Sequence, residues 1–321
     1  MCFYWREIAD AHARKILSLE EIGRIARNFK NLIYVSITGG EPTLREDVDE
    51  IVYRFYASSG TRFVNITTNG LLPERTEQIV RSILGKCPAL NLKMNLSLDH
   101  LGDSHDAIRG VKGAFKNALK TFSMLNLVKR ENNQLTISIS TVLSSYNKAQ
   151  IYQLIDYVRD VLKPDAHAID LVRGDTREDD AKDVTIDEFE KVIEYLKTKK
   201  SGKKRLLQSA FDLMLEVHLE TLKRKRMILP CVAGKKILTL TDDGYVIPCE
   251  ILYQRHPAVD CVLGDIRTAA YNINTILRSP KNREVISFIK ESKCHCTFGC
   301  ATLWNIISNV SMYPNIIART F

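Results

Sequence analysis

The residues most clearly able to do chemistry are cysteines, and six of the eight lie in the last third of the chain. The stretch "CHCTFGC" places three of them within seven residues, and two more flank a predicted hairpin. These five candidate ligands are Cys231, Cys249, Cys294, Cys296 and Cys300. Four converging thiolates complete either a [4Fe–4S] cluster or a zinc site, and the spacing leaves both open. Because five candidates exceed four ligand positions, one is expected to be spare.

The other three cysteines stand apart from this group. Cys87, in "LGKCPAL", is predicted to be an isolated, half-buried thiol, and Cys261, in "VDCVLGD", a core thiol. Cys2, in the opening "MCFYW", is followed by three aromatic residues and has no other cysteine near it. Cysteine usage of this kind favours metal or redox chemistry over disulfides in a chain that we expect to be cytoplasmic.

A second candidate site is "ITGGEP", where Gly39, Gly40 and Glu41 directly follow a predicted strand. Two glycines allow a ligand to approach the backbone N–H groups closely, and a neighbouring carboxylate can hold an ammonium group. The same tripeptide is also compatible with a tight turn from a strand into a helix.

The elements that must position these residues alternate along the first 200 residues. Strands are predicted at 32–37, 63–67, 92–98, 136–142 and 167–172, and helices near 44–57, 74–84, 113–129, 148–161, 186–199 and 206–225. Strands separated by single helices form right-handed parallel crossovers, which predicts a parallel α/β sheet, open or curled into part of a barrel. Ligands bind such sheets at the carboxyl ends of the strands. The predicted loops there, which include "DHLGDSHDAIRG", are rich in Gly, Asn, Asp and Arg.

Composition narrows the remaining function classes. Apolar residues make up 45% of the 321, no apolar run is long enough to span a membrane, and no signal peptide is expected. The net charge of +8 comes partly from the basic runs at 197–205 and 223–226, which read as solvated helix ends or linkers. No nucleic-acid-binding module accompanies them, so neither a nucleic-acid nor a membrane partner is expected.

Taken together, the motifs resemble those of radical S-adenosylmethionine enzymes with a C-terminal SPASM or twitch auxiliary-cluster domain. They are the strand followed by GGEP, "TTNG" at 67–70, "SLDHLGDSHDAIRG" at 97–110 and the cysteine-rich tail, in the family's order along the whole chain. The resemblance implies a partial (β/α)6 TIM-like barrel, lacking its first strand here, followed by a small cysteine-rich α+β domain. The expected limits are 1–200 for the core, 201–228 for a linking helix and 229–321 for the auxiliary domain.

The resemblance also implies the chemistry. A [4Fe–4S] cluster binds S-adenosylmethionine, and one-electron reduction splits the sulfonium to give a 5′-deoxyadenosyl radical, which abstracts hydrogen from an unknown peptide or small metabolite. An electron donor such as flavodoxin or ferredoxin would supply the electron. One auxiliary [4Fe–4S] cluster would accept an electron or hold the substrate. The alternative is a non-catalytic iron–sulfur or zinc-binding relative.

The resemblance also implies roles for individual residues of this chain. Gly39, Gly40 and Glu41 would bind the methionyl ammonium, and Ser97 and Asp99 would approach the ribose or carboxylate. Asn69 and Arg109 would assist at the same rim, and Arg173 would point from the last strand toward cofactor or substrate. A helix cap or surface ion pair is the alternative for each. No catalytic residue is assigned.

The cluster ligands carry over in the same way. The auxiliary cluster would take Cys231, Cys249 and two of Cys294, Cys296 and Cys300. Cys2 fits the third cysteine of the family's CxxxCxxC motif, which would place the first two cysteines and the first strand before residue 1. With one of three ligands, the chain as given is expected not to cleave S-adenosylmethionine.

Overall fold

A computed structural model describes Trp5 and residues 14–198, 206–255, 260–292 and 294–320. These residues divide into two compact units, one ending at Ile169 and the other beginning at Asp170. The limits expected from the sequence, at 200 and 228, stay a prediction. Within the described ranges, no helix is long and apolar enough to cross a membrane.

The first unit alternates helices and strands from Leu19 onward. Its elements are α1 (Leu19–Asn28), β1 (Tyr34–Ile37), α2 (Val48–Ser59), β2 (Phe63–Thr68), α3 (Pro73–Lys86), β3 (Asn91–Ser97), α4 (Gly102–Arg109), α5 (Ala114–Glu131), β4 (Leu135–Leu143), α6 (Ile151–Tyr157), which continues as a π-helix over Val158–Leu162, and β5 (Ala166–Leu171), the strand at which the units divide. All five predicted strands are therefore present, each within three residues of its predicted ends.

The five strands form one parallel sheet in the order β1-β2-β3-β4-β5. The register pairs Ile37 with Ile66 and Met94 with Ile137. The strands lie in the sheet in the order of the chain, because each short helical crossover returns the chain to the neighbouring position. The predicted parallel α/β sheet is confirmed, and the arrangement is consistent with a partial TIM barrel.

The two faces of the sheet differ in polarity. On β3, Leu92, Met94 and Leu96 are buried, whereas the alternate residues Lys93 and Asn95 are half-buried. The register extends the polar face across the neighbouring strands, where its further members are Ser36, Asn65, Thr67, Ser97, Ser138 and Ser140. A parallel sheet usually buries apolar residues on both faces, so this polar face must meet water or a polar ligand.

Two helix starts show how local sequence sets the elements. A capping box begins α1, because the Glu21 N–H donates to Ser18 Oγ at 3.2 Å and the Ser18 N–H donates to Glu21 Oε2 at 2.9 Å. The segment "DHLGDSHDAIRG" was expected to be a loop, and this was wrong. It forms α4, which ends at Gly110 in the left-handed conformation (φ +67°) that glycine adopts most easily.

The second unit is mainly helical with one small sheet. Its elements are α7 (Ile186–Thr198), α8 (Leu206–Arg224), β6 (Thr239–Leu240), β7 (Tyr245–Ile247), α9 (Glu250–Arg255), β8 (Gly264–Asp265), α10 (Ile273–Leu277), α11 (Pro280–Glu291), α12 (Gly299–Ile307) and α13 (Tyr313–Thr320), with 3₁₀ turns at Asp179–Lys182 and Val310–Met312. The predicted hairpin is confirmed as β6–β7, and β8 adds a third antiparallel strand that the sequence did not suggest.

An apolar cluster connects three helices of this unit. Met214 and Val217 of α8 pack with Ile306 of α12 and Ile316 of α13, and each is less than a tenth exposed. This packing fixes α12, which directly follows the cysteine-rich segment, against the longest helix of the unit.

Candidate cofactor site and cysteine cluster

The Glu41 carboxylate is held by four donors of its own unit. Its Oε1 accepts from the Thr43 N–H at 3.1 Å, from Thr43 Oγ1 at 2.7 Å and from Thr68 Oγ1 at 2.8 Å, and its Oε2 accepts from the Asn69 N–H at 2.7 Å. These bonds join the loop after β1 to the end of β2. Glu41 therefore organises the rim of the sheet, and its Oε2 retains a lone pair for a further donor.

Gly39 and Gly40 lie at this rim with their backbone exposed. Gly39 has φ +135°, outside the regions open to most side chains, and nothing lies within 4 Å of where its Cβ would stand. The Asn69 side chain caps its own turn, because Oδ1 accepts from the Leu71 N–H at 2.9 Å. The two glycines thus leave open backbone beside Glu41, and Asn69 fixes the adjoining loop.

Asp99 and Arg109 form an ion pair, with 2.5 Å between Asp99 Oδ2 and Arg109 Nη2. The contact is an attraction between opposite charges, because Asp99 Oδ2 accepts no aligned hydrogen bond from the described residues. Asp99 is 0% exposed, its Oδ1 accepts from the Val142 N–H at 2.9 Å, and its backbone O accepts from Asn147 Nδ2 at 2.8 Å. The carboxylate therefore ties β3 to β4 and orients Arg109, whose side chain is 26% exposed.

Ser97 is the last residue of β3 and is half-buried on the polar face, opposite Ser140. It stands two positions before Asp99, so the two side chains lie at the same strand end. The described structure leaves Ser97 accessible and Asp99 enclosed. A direct ligand contact stays a prediction for Ser97, and the geometry favours a positioning role for Asp99.

Arg173 belongs to the second unit and lies just beyond β5. Its Nη1 is 3.2 Å from Asp170 Oδ1, and its guanidinium carbon lies 5.3 Å from the ring centroid of Phe298. Phe298 stands between the cysteine-rich segment and α12, so the cation–π contact links the end of β5 to that segment. The predicted contact of Arg173 with cofactor or substrate stays a prediction.

Four cysteines line a single narrow pocket in the second unit. They are Cys231, Cys249, Cys294 and Cys296, and the remaining wall is apolar, with Met227, Ala233, Ile251, Leu252, Ile289 and Ala301. Cys249 follows the β7 strand by two residues, and the other three lie outside helices and strands. Chain segments far apart in sequence therefore bring four thiols to one apolar space.

Burial affects the protonation of two of these thiols. Desolvation raises the pKa of Cys231 and of Cys249 above the ordinary thiol range, and the neighbouring Cys296 adds to both shifts. Uncompensated thiolates are therefore disfavoured in the pocket, whereas positive metal centres would stabilise them.

The donor set fits an iron–sulfur cluster. In a [4Fe–4S] cluster each thiolate binds a different iron, so its ligands stand further apart than those of a single zinc ion. In the described part of the chain, no three Cys, His, Asp or Glu side chains are close enough to hold one metal ion. The four cysteines that line one pocket are the number of thiolates that a [4Fe–4S] cluster requires.

The other cysteines occupy different positions. Cys300 is exposed in the first turn of α12 and does not line the pocket. Cys261 is buried, as predicted, whereas Cys87, which ends α3, is fully buried and not half-buried. Cys2 lies outside the described residues.

Two residues at these sites were not found from the sequence. His105 is 0% exposed and accepts the Asp99 N–H on Nδ1 at 3.2 Å, and burial lowers its pKa to about 4. Asn305 is 1% exposed and accepts the Val232 N–H on Oδ1 at 2.9 Å, directly beside Cys231. No spacing signal distinguishes either from an ordinary helix residue.

Comparison with known proteins agrees with this geometry. Residues 1–158 match the model of the radical SAM superfamily, and residues 231–301 match that of SPASM, an iron–sulfur cluster-binding domain. The second match spans all four pocket cysteines. S-adenosylmethionine and [4Fe–4S] clusters, including an auxiliary one, are the cofactors that this pair of domains implies.

Curated relatives and solved structures match over most of the chain. A probable GTP 3′,8-cyclase of Saccharolobus islandicus (strain Y.N.15.51 / Yellowstone #2) is 27% identical over 281 residues, 84% of each chain. Another, of Metallosphaera sedula, is 28% identical over 268 residues, 81% of this chain and 78% of its own. The solved structure of anSMEcpe with bound AdoMet and Cp18Cys peptide aligns with this chain with a TM-score of 0.56 at 14% sequence identity. The alignment covers 94% of this chain and 89% of that one, and it supports the fold. The chain belongs to the radical SAM superfamily and carries a SPASM iron–sulfur cluster-binding domain.

Proposed function

We propose that this protein is a radical SAM enzyme whose auxiliary [4Fe–4S] cluster is held by Cys231, Cys249, Cys294 and Cys296. The observation that supports this most strongly is the convergence of these four thiols on one apolar pocket. When bound at the first cluster, S-adenosylmethionine supplies a carbon radical, by one-electron cleavage of its sulfonium, that removes a hydrogen atom from the substrate. The protein's part is to bind, orient and exclude water.

The rim of the five-stranded sheet would hold the methionyl end of the cofactor. The exposed backbone of Gly39 and Gly40 and the remaining lone pair of Glu41 Oε2 are suited to an ammonium group, because both offer oxygen acceptors at an open edge. Arg109, oriented by the enclosed Asp99, presents a cation suited to the cofactor's carboxylate. Ser97, Asn69 and Arg173 are proposed as further contacts.

A four-cysteine ligand set restricts what the auxiliary cluster can do. When four thiolates occupy all four irons, no iron is open to coordinate a substrate. Of the two roles that the family suggests, electron transfer therefore fits this chain better than substrate binding. Radical SAM enzymes need an electron donor, and we propose a small redox protein such as flavodoxin or ferredoxin for that role. A cytoplasmic location, where such donors occur, stays a prediction.

The polar face of the sheet points to a polar substrate. Its side chains are hydroxyls, amides and the Lys93 ammonium, and they include hydrogen-bonded pairs such as Asn65 Nδ2 to Ser36 Oγ at 3.2 Å and Ser138 Oγ to Asn95 Oδ1 at 2.8 Å. An apolar substrate would leave these groups unpaired, which costs binding free energy. Because the relatives above are named GTP 3′,8-cyclases, GTP and other nucleotides are the first substrates to test.

The ligand set is tested by anaerobic iron–sulfur reconstitution of matched variants. Cys249→Ser and Cys294→Ser should lose about four irons per chain relative to wild type, because one thiolate of the cluster is removed in each. Cys300→Ser and Cys261→Ser are the matched controls and should keep the full iron content. Equal iron loss in Cys300→Ser and Cys249→Ser would contradict the ligand set.

The alternative is a non-catalytic relative that keeps the tail site for structure. It predicts stoichiometric zinc, or one cluster with no turnover of S-adenosylmethionine. Metal analysis of protein purified anaerobically separates the two, since zinc without iron at the four cysteines would refute the enzyme proposal.

A further inference from the structure

Asn305 of α12 holds the backbone beside one of the pocket cysteines. Its Oδ1 accepts from the Val232 N–H at 2.9 Å, and Val232 directly follows Cys231. Because the oxygen faces a backbone donor, this bond also fixes which end of the amide carries the NH2 group. The side chain is 1% exposed, so its donor end is enclosed by protein.

The Asn305 Nδ2 is a buried donor with no hydrogen-bond partner among the described residues. Buried amide groups in folded proteins almost always have a partner, and one left unpaired is costly. By comparison, the NH2 group of the buried Asn282 in the same unit donates to both Gly234 O and Leu277 O. An acceptor is therefore expected near Asn305 once the protein carries its cofactors.

The position of Asn305 indicates which acceptor this is. Ala301, four residues earlier on α12, lines the pocket of the four cysteines, and residues at this spacing share a helix face. Asn305 is thus bonded to the segment of Cys231 and shares a helix face with the pocket wall. The electron-rich acceptors that a bound cluster brings to this space are thiolate and sulfide sulfurs.

We propose that Asn305 Nδ2 donates an N–H···S hydrogen bond to the auxiliary cluster and thereby raises its reduction potential. This inference rests on the four-cysteine ligand set proposed above. A donor aimed at a sulfur stabilises the reduced cluster more than the oxidised one, because reduction adds negative charge that is shared with the sulfurs. Asn305 acts on the cluster through this bond and is a positioning and tuning residue.

The test measures the reduction potential of the auxiliary cluster in the reconstituted full chain. The cluster is identified as the EPR signal that disappears in Cys249→Ser, and its potential is obtained by redox titration. Asn305→Leu should shift the potential to a more negative value, because the donor is removed. Thr302→Val is the matched control on the same helix: it removes the bond of Thr302 Oγ1 to His218 Nε2 and should leave the potential unchanged.

The outcomes separate the inference from the proposal that it rests on. A wild-type chain with no cluster at the four cysteines would defeat the ligand set itself. An intact cluster with the same potential in wild type and Asn305→Leu would overturn the hydrogen bond alone. If Asn305→Leu takes up no cluster, Asn305→Ala is measured instead. Failure of both to take up a cluster, with Thr302→Val normal, would assign Asn305 a structural role and also overturn the inference.

Discussion

Replacing Glu41 tests whether the carboxylate of the GGE motif organises the site. Glu41→Ala removes the common acceptor of four donors, two of which are backbone N–H groups. Hydroxyls can rotate to other acceptors, but the N–H groups of Thr43 and Asn69 cannot. Leaving them unpaired costs about 1–3 kcal/mol each, so we expect the free energy of unfolding to fall by about 3 kcal/mol. Glu41→Gln should lose roughly half as much, because its NH2 would face the Asn69 donor.

The assay is urea unfolding of the reconstituted protein, followed by circular dichroism, together with S-adenosylmethionine binding by calorimetry. The exposed Glu46, changed to Gln, is the matched control and should alter neither quantity. The expected result is a loss of stability in Glu41→Ala that accompanies weaker binding. Weaker binding at unchanged stability would refute the organising role and make Glu41 a direct ligand contact only.

Three further predictions concern the same molecule. Asp99→Asn should lower the free energy of unfolding, measured by urea titration, by about 2 kcal/mol, because the partly buried Arg109 loses its counter-charge. An unchanged free energy of unfolding would contradict the ion pair. Burial lowers the pKa of both His105 and His218 from 6.5 to about 4, so the unfolded state binds more protons between these values. Their contribution should be fully present above pH 6.5 and lost as pH falls toward 4, and stability that stays flat in this window would count against it. Gly70→Ala should lower the free energy of unfolding by about 2 kcal/mol, because φ is +71° and the new Cβ would lie 3.1 Å from the α5 backbone. A loss below about 0.5 kcal/mol would contradict that close packing.

The sheet was predictable because its strands are short β-branched or apolar runs with clear ends. Each strand lies between helices with helical spacing of apolar residues, which leaves little choice but parallel crossovers. The strand β8 was not predictable, since two residues, Gly264 and Asp265, carry no periodicity. Helix α4 was missed because its sequence is rich in Gly, Asp and Ser, which favour loops locally. The burial of His105, which contacts the Asp99 N–H and the Phe115 ring, overrides that preference.

Site chemistry was predictable as a set of residue types, but not as geometry. The sequence placed Glu41, Asp99 and Arg109 at one rim, yet it could not show that the two carboxylates accept backbone N–H bonds from neighbouring strand ends. It also left five cysteines for four positions. Only the fold shows that Cys300 is exposed on α12 while the other four share a pocket. Directions of side chains depend on long-range packing, which spacing does not encode.

The most direct test of the central claim is release of 5′-deoxyadenosine. The full-length protein is reconstituted anaerobically and incubated with S-adenosylmethionine and dithionite. The products are quantified by chromatography and mass spectrometry. The account predicts 5′-deoxyadenosine and methionine in equal amounts, dependent on both iron and reductant. A fully reconstituted protein that binds S-adenosylmethionine but releases no 5′-deoxyadenosine, alone or with nucleotide substrates, would contradict it.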